Sequence, residues 1–136
     1  MRISLLNSSK VPIYEQITSQ VVFAVAAGDV AAGDLVPSVR DLAQQLLVNP
    51  NTVARAFQDL ERLGVLEARR GLGMAVTADG PKRCRDRRKA IVRERVKDAL
   101  REAASAGLTM ADVHDMIDAE WPALSGERND HPRTPR

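Results

Sequence analysis

The stretch PSVRDLAQQLLVNPNTVARAFQDLERLGVLEARRGLG, Pro37 to Gly73, decides how this chain is read. Pro37 stops whatever precedes it. Ser38 is a favoured helix N-cap, and Asp41 three residues on completes a capping-box pattern that suits the positive end of a helix. Leu42, Ala43 and Leu46 give that short helix one apolar face, and Leu47-Val48 is expected to form a buried turn. Asn49-Pro50 restarts the chain, with Asn49 as N-cap and Pro50 at the first helical position, where its missing N–H costs nothing. Val53, Ala56, Phe57, Leu60 and Leu63 form the stripe of a second helix, which Gly64 ends.

After Gly64 the period changes. Val65–Ala68 and Met74–Thr77 read as short strands around Arg69-Arg70-Gly71-Leu72-Gly73, whose glycines permit the positive φ of a hairpin. Two capped helices across a tight turn, then a glycine-cornered hairpin, spell a winged helix-turn-helix, a module that lays its second helix in the DNA major groove. The chemistry of the exposed helix start agrees. Arg55 can bind guanine bidentately, Asn51 can bind adenine, and the Thr52 methyl can meet a thymine methyl. Arg69 and Arg70 sit where a wing tip would follow a phosphate backbone or enter a minor groove. Gln58, Asp59 and Arg62 read as solvated surface or intrahelical pairs.

These residues also carry a resemblance. PIYEQI (Pro12–Ile17), Gly33-Asp34, PSVRDLA (Pro37–Ala43), VNPNTVARAF (Val48–Phe57) and LERLGVLEARRGLGMAV (Leu60–Val76) resemble the DNA-binding domain of GntR-family bacterial regulators. The short remainder is similar to the YtrA-like branch, whose C-terminal segment is small and helical. The resemblance implies a homodimeric transcription regulator, usually a repressor, on an inverted-repeat operator. Placed by position, it implies DNA contacts at Ser38, Arg40, Asn49, Asn51, Thr52, Arg55, Arg69, Arg70 and Gly71. Larger branches of the family often carry Arg just after the recognition-helix N-cap. Here that position is Pro50, so their operator sequence is not transferred.

Composition narrows the remaining choices. At 136 residues the chain holds one compact domain plus an appendage, and with 3% aromatic residues its core must be aliphatic. Cys84 stands alone, without a disulfide partner or a metal-ligand cluster. No secretory signal or membrane span is read, so the cytoplasm is the expected location. The net charge of +2 hides an asymmetry. Up to Gly80 acidic residues slightly outnumber basic ones. Lys82, Arg83, Arg85, Arg87, Arg88, Lys89, Arg93, Arg95, Lys97 and Arg101 then face only Asp86, Glu94, Asp98 and Glu102. A nearly neutral domain still binds DNA when its few cations face phosphate.

Around the central stretch, Ile3–Leu6 reads as a short edge strand and Pro12 opens a helix with Ile13, Ile17, Val21 and Ala24 on its inner stripe. Tyr14 reads as a core or hinge residue. Asp79-Gly80-Pro81 signals a boundary, with a fourth helix from near Asp86 to about Ala104. A capping box at Thr109 and Asp112 opens a fifth, Met110 to about Trp121, where Pro122 follows. The expected organisation is residues 1–78 as the winged domain, 79–122 as a two-helix segment and 123–136 as a disordered tail. The fold class is mostly α with a small β-hairpin wing (α+β). The core of Ile13, Ile17, Val21, Leu42, Leu46, Val53, Phe57 and Leu60 lies upstream of Val76, so a chain cut there is expected to fold.

The last two helices cannot bury their apolar faces alone. A four-helix arrangement from two chains, through Val92, Val96, Leu100, Met110, Val113, Ile117 and Trp121, solves this and gives a C2 dimer for a palindromic site. The lesser alternative is that they fold back on their own winged domain. A small-molecule effector would have to sit in the dimer interface or against the winged domain, because the segment is too small for a pocket of its own. A protein-docking winged helix is the competing function, and cations at both the recognition helix and the wing argue against it. An enzyme is disfavoured, since His114 and His131 have no catalytic constellation. His114 with Asp115 and Asp118 reads as a solvated face, so no metal or cofactor is expected.

Overall fold

The structure is a computed structural model and describes residues 1–125. Its elements are α1 (Ile13–Ala26), α2 (Val39–Leu46), α3 (Pro50–Arg62), β1 (Leu66–Arg69), β2 (Gly73–Val76), α4 (Gly80–Ser105) and α5 (Met110–Ser125). Two compact units divide them, the first running from Met1 to Arg93 and the second starting at Glu94.

In the first unit four helix ends have a local cause. α1 ends in a left-handed Gly28 (φ 86°), with Asp29 N–H donating to Ala24 O at 3.0 Å and Gly28 N–H to Val25 O at 3.1 Å. Ser38 Oγ accepts from the Asp41 amide at 3.1 Å, and Asn49 Oδ1 accepts from the Asn51 amide at 2.8 Å. α3 ends at Gly64 (φ 75°), and Val65 N–H returns to Leu60 O at 2.9 Å. That bond commits Val65 to the helix cap. The strand therefore starts at Leu66, one residue later than expected.

Ile17, Val21, Val22, Val25, Leu42, Val53, Phe57, Leu60, Val65 and Val76 are buried together, a core aliphatic apart from Phe57, joined by Cys84 and flanked by half-buried Ile91. The core thus reaches into α4, and a cut after Val76 would remove part of it. Burial pushes the Cys84 thiol up to about 11.

The hairpin pairs Leu66 with Val76 and Arg69 with Gly73, antiparallel. The chain ahead of α2 lies along its other edge. Val36 N–H donates to Met74 O at 2.9 Å, Val76 N–H to Asp34 O at 2.9 Å and Gly33 N–H to Val76 O at 2.8 Å, with a bridge between Leu35 and Ala75. Gly33-Asp34 therefore begins a third, irregular strip of the wing sheet.

Four other expectations are corrected. Ile3–Leu6 is no strand; glutamine side chains of α1 hold it instead. Gln20 Oε1 accepts from Ser4 N–H and Gln16 Oε1 from Leu6 N–H, both at 2.8 Å, so side-chain amides supply what a neighbouring strand would. Leu47 is 91% exposed, because its left-handed backbone (φ 56°) turns the side chain outward; only Val48 is half-buried.

α4 starts at Gly80 instead of near Asp86. Gly80 N–H reaches Thr77 O at 3.0 Å and Arg83 N–H reaches Asp79 O at 2.9 Å, while Pro81 is tolerated in a first turn that needs no N–H there. α5 continues through Pro122 to Ser125, since a proline forfeits its own bond without preventing the following amides from bonding. Ala123, Leu124 and Ser125, expected in a disordered tail, are helical. The rest of that expected tail, 126–136, lies outside the described residues.

In the second unit α5 opens with a complete capping box: Thr109 N–H donates to Asp112 Oδ2 at 2.8 Å and Asp112 N–H to Thr109 Oγ1 at 3.1 Å. These bonds hold the Asp112 carboxyl below the usual carboxylate range. α5 buries none of its residues: Met110 is 75% exposed and Trp121 58%. Among the described residues no helix is long and apolar enough to cross a membrane.

Candidate nucleic-acid interface

Three short segments of the first unit carry the expected DNA contacts. The start of α3 places Asn49, Asn51 and Arg55 at the surface with Thr52 half-buried beside them. The opposite stripe of Val53, Ala56, Phe57 and Leu60 is fully committed to the core, which fixes the roll of the helix. Asn49 has spent its carbonyl oxygen on the cap and keeps its amide N–H groups for a ligand. Ser38 has spent acceptor capacity in the same way and still has a hydroxyl proton to donate. Arg40, the second residue of α2, is exposed.

Arg55 is held in an unexpected way. Its guanidinium carbon lies 3.8 Å from the centroid of the Tyr14 ring on α1. Among the described residues no carboxylate pairs with it. Tyr14, read from sequence as core or hinge, is half-buried and packs against the core while its ring carries this cation. The signal in the sequence was its place next to Ile13 on the inner stripe of α1, which turns it toward the neighbouring helix. Gln58 is exposed and Asp59 pairs with Arg62 within the helix, as the spacing suggested.

At the wing tip Gly71 (φ 76°) and Gly73 (φ 114°) turn the chain, and Leu72 N–H closes the turn on Arg69 O at 3.0 Å. Both arginines are exposed, but they differ. Arg69 lies 3.7 Å from Glu67, an exposed pair that DNA phosphate would compete with, whereas no acid pairs with Arg70 among the described residues. Sequence reading missed Glu67 as a competitor. It also missed Leu72, an exposed apolar residue at the tip.

Of the residues expected at a dimer contact, Val92, Val96, Leu100, Met110, Ile117 and Trp121 are exposed and Val113 is half-buried. His114, Asp115 and Asp118 are exposed on α5, and no three His, Cys, Asp or Glu side chains among the described residues come together as a metal site.

This geometry is matched by known proteins. Residues 13–76 match the family model "Bacterial regulatory proteins, gntR family". The HTH-type transcriptional repressor YtrA of Bacillus subtilis is 33% identical over 123 residues, covering 90% of this chain and 95% of that protein. A GntR family transcriptional regulator from Listeria monocytogenes shares the fold with a TM-score of 0.69 and 28% identity, over 85% of this chain and 98% of that one. YtrA from Sulfolobus acidocaldarius, a GntR-family transcription factor, matches with a TM-score of 0.56 and 31% identity, over 72% and 96% of the two chains. Relatives of nearly the same extent thus share this chain's sequence and fold over most of its length. The chain belongs to the GntR family of bacterial transcription regulators, in its YtrA-like branch.

Proposed function

We propose that this DNA-binding regulator is a homodimeric repressor that recognises an inverted-repeat operator in the cytoplasm. Each protomer lays α3 in the major groove, reading base edges with Asn51, Thr52 and Arg55, while Asn49, Ser38 and Arg40 position it on the backbone. Arg69, Arg70 and Gly71 follow the backbone or the adjacent minor groove. The observation that supports this reading is the exposure of Asn51 and Arg55 on α3, a helix whose other face is locked in the core.

The second unit supports the dimer. Two helices that leave Val96, Leu100, Met110, Ile117 and Trp121 exposed have no stable fold of their own, and a second copy of the same faces would cover them. C2 pairing by α4 and α5 presents two recognition helices, and an inverted repeat mirrors that symmetry. Repression follows from occupancy, because a dimer spanning both half-sites excludes other proteins from that DNA. The Bacillus subtilis relative is a repressor by name.

Selection of bound duplexes from a random pool, with sedimentation of the same preparation, tests the reading. An enriched inverted repeat bound by a dimer is expected. A single half-site bound by a monomer would overturn the symmetric reading, and unselective binding would overturn operator recognition itself.

A further inference from the structure

We propose that Tyr14 is a positioning residue for sequence recognition: its ring holds the Arg55 guanidinium in the orientation in which α3 meets a base pair. The inference rests on the proposed DNA reading and adds to it a residue on a different helix, outside the helix-turn-helix.

The geometry has a specific chemical consequence. At 3.8 Å from the centroid the cation lies over the face of the ring. A guanidinium carries all five of its N–H donors in its own plane. A ring that engages the face leaves the edge free, and the edge is what binds guanine O6 and N7. An unsupported exposed arginine would spread over many rotamers and lose that freedom on binding; a stacked one has already lost much of it.

The ring is itself held. Tyr14 packs against the core, its hydroxyl donates to Glu15 Oε1 at 3.1 Å, and its carbonyl accepts from Thr18 Oγ1 at 2.9 Å. Nothing else among the described residues competes for Arg55. Its neighbours Asp59 and Arg62 satisfy each other, and no carboxylate pairs with it.

The test uses the full chain, a duplex chosen by selection, and Tyr14→Phe, Tyr14→Leu and Arg55→Ala singly and combined. Tyr14→Leu should weaken binding about two- to five-fold, the loss concentrated at the base pair whose preference Arg55→Ala abolishes. Tyr14→Phe should keep near wild-type affinity, because the stack survives without the hydroxyl. In the Arg55→Ala background Tyr14→Leu should add nothing.

A DNA-free readout accompanies these. Side-chain resonances of Arg55 should show an upfield ring-current shift in the wild type and in Tyr14→Phe that disappears in Tyr14→Leu. Equal losses with and without Arg55 would make Tyr14 merely structural and overturn the proposal. So would tighter binding by Tyr14→Leu, which would mean that the ring withholds Arg55, or an Arg55 shift unchanged by that variant. If the ring-current shift is present but the wild type shows no base preference on any duplex, the DNA reading fails and takes the positioning role with it, while the stack itself stands.

Discussion

A Cβ on Gly80 would lie 2.7 Å from Val76 Cγ1, closer than two carbons can stand, so the last residue of the wing and the first of α4 are seated directly on one another. The same Cβ would be 3.2 Å from Val65 O, which is backbone and cannot step aside. Gly80→Ala should therefore destabilise the chain by about 1–3 kcal/mol despite the better helix propensity of alanine. Denaturant unfolding measures it; an unchanged or raised midpoint would mean the contact relaxes freely.

Leu47→Gly should have the opposite effect. The leucine holds φ at 56° with its side chain 91% exposed, so it bears the left-handed conformation with almost no burial to offset it. Glycine should raise stability by roughly 0.5–1 kcal/mol, the steric gain exceeding the added chain entropy. A lowered thermal midpoint would show that Leu47 covers something in solution.

The two wing arginines should separate in DNA binding. Arg70→Ala, removing a cation that no acid pairs with among the described residues, should lower affinity evenly across sequences and make the log–log salt slope shallower by about 1. Glu67→Gln should modestly strengthen binding by releasing Arg69 from its competitor at 3.7 Å. Titrations at several salt concentrations decide both, and an unaltered slope for Arg70→Ala would remove the wing from the phosphate contacts.

Cys84 should resist alkylation in the native protein and react on unfolding, because it is buried and its pKa is pushed up to about 11. The sign of the pH effect follows. Once pH exceeds the ordinary thiol value, the unfolded chain loses this proton while the folded chain keeps it, so stability falls by about 1.4 kcal/mol per pH unit until the folded value is reached. Cys84→Ala should remove that component from an alkaline stability profile.

A chain ending after Arg93 should fold as a monomer and bind an operator far more weakly than the full chain does as the proposed dimer, since linked half-sites gain from effective concentration. A chain ending after Val76 should be less stable than this by about 2–5 kcal/mol, having lost Gly80, Cys84 and Ile91 from its packing. Val96→Glu with Ile117→Glu should imitate the longer truncation in sedimentation, because a charge is not buried unpaired in an apolar interface. Persistence of the dimer in that variant would place the contact elsewhere.

The legible parts of this fold were those with local causes. Ser38, Asn49 and the Thr109–Asp112 box cap where they were read, because a cap is decided within four residues. The inner stripe of α3 followed from its period. What escaped were relations between distant segments. The Tyr14–Arg55 contact joins two helices, the Gly33–Val36 strip pairs with a strand some forty residues later, and the start of α4 at Gly80 was hidden by Pro81, which reads as a stop even where a first turn accepts it. In the candidate site, residue types were readable and their occupancy was not: nothing local says that Arg69 shares its charge with Glu67 or that Arg55 rests on a ring.

The strip from Gly33 to Val36 also decides how this sheet meets other molecules. A two-stranded hairpin has two rows of unpaired amides and carbonyls, each able to recruit a stranger's strand. Here the β2 row is taken by the chain's own backbone, and the β1 row is only four residues long and carries Glu67 and Arg69. Such a sheet is a poor template for strand-on-strand aggregation, even at the concentrations a regulator reaches when crowded on DNA. The wing can stay exposed without becoming adhesive.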